Sequence, residues 1–136
     1  MNVKAFIDTN IFVYAAIQAA DSLAKRESAV ALLNSPTRYV VSTQVLNEFA
    51  AVLLKKKFSD KLIRTRVESI ANECSIAVVD MKTIRLGWDL RQRYNLSLWG
   101  SLIAASALIA KCTILYTEDM QNGLLIDNSL HVVNPF

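Results

Sequence analysis

Short apolar runs recur along this chain, and segments of helix length separate them. The runs are Val3-Lys4-Ala5-Phe6-Ile7, Tyr39-Val40-Val41, Ile76-Ala77-Val78-Val79, Thr113 to Tyr116 and His131-Val132-Val133. Between them, apolar residues return with helical spacing. The spacing predicts helices from about Asn10 to Gln18, Leu23 to Leu33, Thr43 to Lys57, Ser59 to Glu73, Asp80 to Tyr94 and Leu98 to Lys111. Strands alternating with helices predict an α/β chain whose parallel sheet is flanked by helices. Runs this short and this apolar suit strands buried on both faces.

Punctuation supports these boundaries. Asp21 or Ser22 stands before the second helix, Ser42 or Thr43 before the third, and Asp80 before the fifth. Each is a residue type that satisfies free N–H groups at a helix start. Asp60 is read in the same way. Ser35-Pro36-Thr37 and Asn95-Leu96-Ser97 are breaks.

A chain of 136 residues with 3 Gly and 2 Pro is neither loop-rich nor disordered, and it is expected to form a single domain spanning residues 1–136. Its 53% hydrophobic content exceeds the ordinary share, so part of its surface is expected to be covered by a partner or another subunit. A formal charge of +3 leans mildly toward nucleic acid. Cys74 and Cys112 have no metal-type spacing partner, and they read as buried thiols of a reducing compartment. The apolar stretch Ile11–Ala20 is too short to span a bilayer, so a soluble cytoplasmic protein without membrane attachment is expected.

Two acids stand just beyond strands. Asp8 follows Ile7 directly, and Asp119 comes after Tyr116 with two residues between. In a parallel sheet both would lie at the carboxyl edge, where open α/β sheets place ligands. Glu48 lies in the second turn of the helix that follows Val41, on the border of its apolar stripe, and it would approach the same edge. Carboxylates gathered there would repel one another, and a divalent cation relieves that repulsion. Oxygen-only donors suit Mg²⁺ or Mn²⁺.

Taken singly, each acid also has an ordinary reading. Asp8 serves as an N-cap or turn residue, Asp119 as an Asx-turn and Glu48 as a solvated helix edge. The direction of Glu118 is open. His131 is the single histidine and sits within a strand, which disfavours a histidine-dependent triad. No glycine-rich phosphate loop is present.

Four segments, in order and spacing, resemble PIN-domain proteins. They are Phe6-Ile7-Asp8-Thr9-Asn10-Ile11, Ser42-Thr43-Gln44-Val45-Leu46-Asn47-Glu48-Phe49, Leu96-Ser97-Leu98-Trp99-Gly100-Ser101-Leu102-Ile103 and Leu115-Tyr116-Thr117-Glu118-Asp119-Met120-Gln121-Asn122-Gly123. The nearest subgroup is similar to VapC-type toxins of toxin–antitoxin pairs. The resemblance implies an α/β/α sandwich with a central, mostly parallel sheet. It also implies a Mg²⁺- or Mn²⁺-dependent endoribonuclease that hydrolyses structured RNA such as tRNA through metal-activated water. Asp8, Glu48 and Asp119 would be the catalytic, metal-binding acids. Thr9, Asn10, Ser42 and Thr43 would be their polar support. A homodimer and a neutralising VapB-like antitoxin are implied as well.

One position departs from the pattern. Gly100 stands where the third segment normally carries an acid. It falls in the first turn of a helix, where an acid is favoured by the dipole and glycine has no advantage. It is read as a lost metal ligand, with little or no nuclease activity expected. The plain alternative is an innocuous glycine near a helix start.

For RNA contact, Lys55, Lys56 and Lys57 form one basic group, with Lys61, Arg64 and Arg66 close in sequence. Arg91 and Arg93, with Arg85, form another, and Lys25-Arg26 a third. Their ordinary reading is solvated helix surface. Tyr14, Trp88 and Trp99 are candidate base-stacking residues, though both tryptophans are expected in the core. Ile11, Phe12, Tyr14, Ala15 and Val30–Leu33 are expected to line an antitoxin groove, and Leu98–Ile109 to form part of a homodimer contact. Two other readings remain: a non-catalytic PIN-like module that binds RNA or protein, and an unrelated phosphate-handling α/β enzyme.

Overall fold

The strands found in a computed structural model, which describes residues 3–136, form one sheet. They are β1 (Ala5–Ile7), β2 (Val40–Ser42), β3 (Ser75–Ala77), β4 (Ile114–Tyr116), β5 (Leu125–Ile126) and β6 (Leu130–Val133). Their order is β3-β2-β1-β4-β6-β5. Every neighbouring pair is parallel except β5 with β6. The helices are α1 (Thr9–Ala16), α2 (Leu23–Leu33), α3 (Thr43–Lys55), α4 (Asp60–Glu73), α5 (Met81–Tyr94) and α6 (Leu98–Ile109). Helix α1 packs on α2 and α3, α3 on α4, and α5 along α6. This is the expected α/β/α arrangement around a mostly parallel sheet.

The strands are short because each carries only a few consecutive apolar residues before a polar one. Phe6, Ile7, Val41 and Leu115 are fully enclosed. Val45, Phe49 and Leu53 recur every four residues along α3 and turn that helix onto the sheet. Serines close the free N–H groups at three helix starts: Ser42 accepts from Val45, Ser59 from Leu62 and Ser97 from Gly100. Asp80 and Thr83 exchange the reciprocal bonds of a capping box at α5. Asp60 lies inside the first turn of α4, and Asp21 lies in a short 3-10 turn, Ala20–Ser22, so neither is a cap.

Two expectations need correction. Trp88 and Trp99 are 50% and 61% exposed, not core residues. The inward positions of α5 are taken by Thr83, Gly87 and Leu90, and Trp88 falls outside that stripe. Helix α6 is enclosed by its own chain from Ser101 to Ala107, so its middle has no free face for a second copy. The strand β5 was not anticipated. It is an antiparallel edge joined to β6 through Asp127 and Asn128, both at positive φ, which these residue types tolerate.

Candidate active site

Strand order sets the location. β1 lies between β2 and β4, with chain crossovers departing to both sides, which opens a crevice at the carboxyl ends of these strands. Ile7 pairs with Tyr116, and the Asp8 N–H donates to the Tyr116 carbonyl at 3.0 Å. This register sets Asp8 beside Thr117. Asp8 also caps α1, its Oδ1 accepting from the Thr9 N–H at 2.7 Å.

Thr117 is fully buried and joins two of the acids. Its hydroxyl donates to Asp8 Oδ2 at 2.7 Å and accepts from the Asp119 N–H at 3.1 Å. Asp119 Oδ2 in turn accepts from Asn10 Nδ2 at 3.1 Å. Thr9 Oγ1 donates to Glu48 Oε1 at 3.2 Å, and Gln44 Nε2 reaches the same oxygen at 3.1 Å. Gln44 Nε2 also donates to the Trp99 carbonyl at 3.2 Å, which ties α3 to the first turn of α6. One hydrogen-bond web therefore links Asp8, Asp119 and Asn10, and a second links Thr9, Glu48 and Gln44. Adjacent residues of α1 connect the two.

Asp8 is 6% exposed. Burial pushes its carboxyl up to about 6 from 3.8, against the lowering bonds from Thr117 and Thr9. Asp119 and Glu48 add to the rise by repulsion, so both carboxylates lie within electrostatic reach of Asp8. Glu118 points elsewhere. It accepts from Tyr14 at 2.6 Å and from Lys25 at 2.8 Å. Burial would raise Glu118, but these donors outweigh it and hold the carboxyl below its usual range. Tyr14 also packs edge-on against Phe136, so it is committed to this cluster rather than free to stack on a base.

Among the described residues, no three acid, histidine or cysteine side chains stand close enough to form a ready-made metal cage. The donor chemistry still fits a hard divalent cation. Such an ion retains several waters and often takes only one or two carboxylates. Asn10 Oδ1 is buried with no hydrogen-bond partner, an orphaned oxygen beside Asp119. Asp8 and Asp119, with Asn10 Oδ1 beside them, have the donor chemistry such an ion takes, and Glu48 stands within electrostatic reach of Asp8.

Gly100 lies in the first turn of α6, and its N–H is bound by the Ser97 cap at 3.1 Å. A Cβ added there would meet Ser97 Oγ at 2.9 Å and Met120 Cε at 3.3 Å. The Met120 methyl is the end of a flexible side chain, whereas Ser97 Oγ is the cap of α6, so a side chain at position 100 requires the cap to shift. Ser42 Oγ is occupied in capping α3, and Thr43 Oγ1 accepts from the Val79 N–H. Neither hydroxyl is bonded to any of the three acids.

The basic residues are not gathered at this crevice. Lys55, Lys56 and Lys57 lie at the far end of α3, roughly 10 Å or more along the axis from Glu48. Arg93 is paired with Asp127, and Arg91 donates to the Leu96 carbonyl, where it closes the turn before α6. Sequence reasoning passed over Thr117 and Gln44. The signal for Thr117 was available: a small polar residue directly after a buried strand. The i, i+4 spacing of Gln44 and Glu48 was likewise visible.

The sequence matches the PIN domain family over residues 5–121. Among curated proteins, no relative matches. Several solved structures share the fold. A chain of a toxin–antitoxin complex from Klebsiella pneumoniae superposes with a TM-score of 0.71 at 22% identity, covering 98% of each chain. VapC20 of Mycobacterium tuberculosis, a sarcin–ricin-loop-cleaving toxin, gives 0.66 at 16% identity over 82% of this chain and 87% of its own. VapBC2 from Rickettsia felis, bound to a DNA fragment from its promoter, gives 0.67 at 20% identity over 97% and 100%. The chain belongs to the PIN-domain family.

Proposed function

We propose that this PIN-domain chain is by descent a divalent-metal-dependent endoribonuclease toxin of the VapC type, impaired by the glycine at position 100. Asp8 carries the reading. A buried carboxyl pushed up to about 6 beside two other acids is costly to a fold and useful to a cation site. A bound Mg²⁺ or Mn²⁺ would supply Lewis acidity for the attack of water on an RNA phosphodiester.

The chain's own residues do the positioning. Thr9 N–H and Thr117 hold Asp8, Asn10 holds Asp119, and Thr9 with Gln44 holds Glu48. Gly100 leaves the first turn of α6, which Gln44 ties to Glu48, without a carboxylate. One ligand fewer weakens the ion's hold and leaves the attacking water less well oriented. The nuclease reading is further supported by the solved toxin structures that share the fold. A structured RNA such as tRNA is the proposed substrate class, in a cytoplasmic setting, with the chain acting as one domain and as a homodimer.

The proposed antitoxin seat is a cavity of about 460 Å³ bounded by Phe12, Ala15, Leu33, Tyr39, Phe49 and Ile70. Ile11 is fully enclosed and takes no part in it. Arg66, Glu73, Asn34 and Thr37 stand among these apolar walls, and an amphipathic helix of a VapB-like partner, with apolar anchors and polar flanks, fits such a mixed groove.

Calorimetric titration of Mn²⁺ tests the cation site. Weak binding to the parent, lost in Asp8→Asn and strengthened in Gly100→Asp, is the expected pattern. Binding unaffected by both substitutions would place the ion elsewhere and remove the basis for the nuclease reading.

A further inference from the structure

Beside Glu48, between α3 and the first turn of α6, lies a cavity of about 410 Å³ whose walls include Asn47, Ala51, Val79 and Trp99. Three properties limit what it can hold. One wall is an indole 61% open to solvent, a large apolar surface with no intramolecular reason to be exposed. The lining contains no lysine or arginine, so it does not recognise a phosphate. Two carboxamides, Asn47 and Gln44, border it, and Gln44 Oε1 is buried without a hydrogen-bond partner. Flat, largely apolar, with Glu48 as its one charged wall and bordered by carboxamides that both donate and accept, the cavity matches the faces and edges of a nucleobase, whose ring N–H and amino groups a carboxylate can also accept from.

Its position gives the occupant a purpose. Gln44 Nε2 bonds both Glu48 and the Trp99 carbonyl, so the indole's backbone is fixed to the acid site through one amide. A base held against Trp99 would bring its neighbouring phosphate toward Asp8 and Glu48. We propose that the Trp99 cavity is the subsite for an unstacked base of a single-stranded or looped RNA, next to the bond to be cut. This rests on the ribonuclease reading above and deepens it. It makes Trp99 and Asn47 determinants of cleavage position, and it lets the chain grip RNA even without an acid at position 100.

The test uses the full chain. Trp88→Phe leaves Trp99 as the sole tryptophan, since the sequence holds two. Octamer RNAs of one base type are titrated in Mg²⁺, with their integrity followed on a gel. Trp99 fluorescence is expected to be quenched on binding, with a preference among the four bases. With affinity read by anisotropy of a dye on the octamer, because the Trp99 variants lack the reporter indole, Trp99→Ala is expected to weaken binding by about tenfold or more, the usual loss of one base–aromatic stack, while Trp99→Phe retains most of it. Equal affinity in Trp99→Ala and the parent would overturn the subsite and leave the RNA reading intact. A Trp99→Ala protein that turns from dimer to monomer by light scattering, with RNA affinity unchanged, would overturn it in favour of a second copy covering the indole. No binding of any octamer to the parent or to Gly100→Asp would overturn the RNA reading itself.

Discussion

Replacing Asp8 by Asn should make the metal-free protein more stable, although Asp8 lies at the heart of the proposed site. In the folded chain the Asp8 carboxyl sits near 6 in place of 3.8, chiefly because burial disfavours its charge. That difference corresponds to about 3 kcal/mol against the ionised form. Below pH 3.8 the carboxyl is protonated in both folded and unfolded chains, and the penalty is absent. Between about pH 4 and 6 the folded state holds a proton that the unfolded state has released. Stability therefore falls as pH rises through this window and levels off above it.

Asn carries no charge, so the penalty disappears. Its amide disturbs the bond from Thr117, at a cost of about 1 kcal/mol. The net gain at pH 7.5 is about 2 kcal/mol, or roughly 5–10 °C in Tm for a chain of this size. Urea denaturation in chelator, at pH values from 4 to 8, measures it. Relative to Asp8→Asn the parent should lose stability between pH 4 and 6, and the two curves should cross at about pH 4.5, the variant being the weaker below it. Added Mn²⁺ should narrow the gap at pH 7.5 by stabilising only the parent. A difference between the two curves that stays constant from pH 4 to 7.5, or an Asp8→Asn protein weaker than the parent at pH 7.5, would refute the reasoning.

Other outcomes follow from the same contacts. Thr117→Val removes the donor to Asp8 and the acceptor of the Asp119 N–H, and should cost about 1–3 kcal/mol by urea denaturation at pH 7.5. Ser97→Ala uncaps α6 and should cost about 1 kcal/mol, read from the same assay. Replacing Lys55, Lys56 and Lys57 together by Gln should leave the cleavage rate of the Gly100→Asp protein unchanged, because these lysines sit at the other end of α3.

The fold was readable because its strands and helices speak in different periods. Runs such as Phe6-Ile7 and Val40-Val41 have no polar partner until the strand ends, whereas Val45, Phe49 and Leu53 repeat every four residues. β5 was not readable, since two residues carry no period and its pairing depends on a turn set by Asp127 and Asn128. The acids were legible as residues following strands, but their supports were not. Whether Thr117 turns inward to Asp8 depends on the β1–β4 register, which only the assembled sheet fixes.

The tryptophans misled for a related reason. Trp88 and Trp99 have core-like chemistry, but Thr83, Gly87 and Leu90 already fill the inward face of α5, and Leu102 packs where any side chain at position 87 would stand. The basic clusters were legible as clusters but not as to place, because proximity in sequence says nothing about which end of a helix meets the sheet edge, and Lys55 ends α3 away from Glu48.

The most direct measurement of the central claim is RNA cleavage by the parent and by Gly100→Asp, assayed side by side with Mg²⁺ or Mn²⁺ and with chelator. The account predicts that the substituted protein folds as the parent does and cuts structured RNA only with the cation. Its rate should exceed the parent's by at least about 100-fold, beyond the cost of losing an outer support of a metal ligand. Equal cleavage by both proteins, or cleavage that persists in chelator, would contradict it.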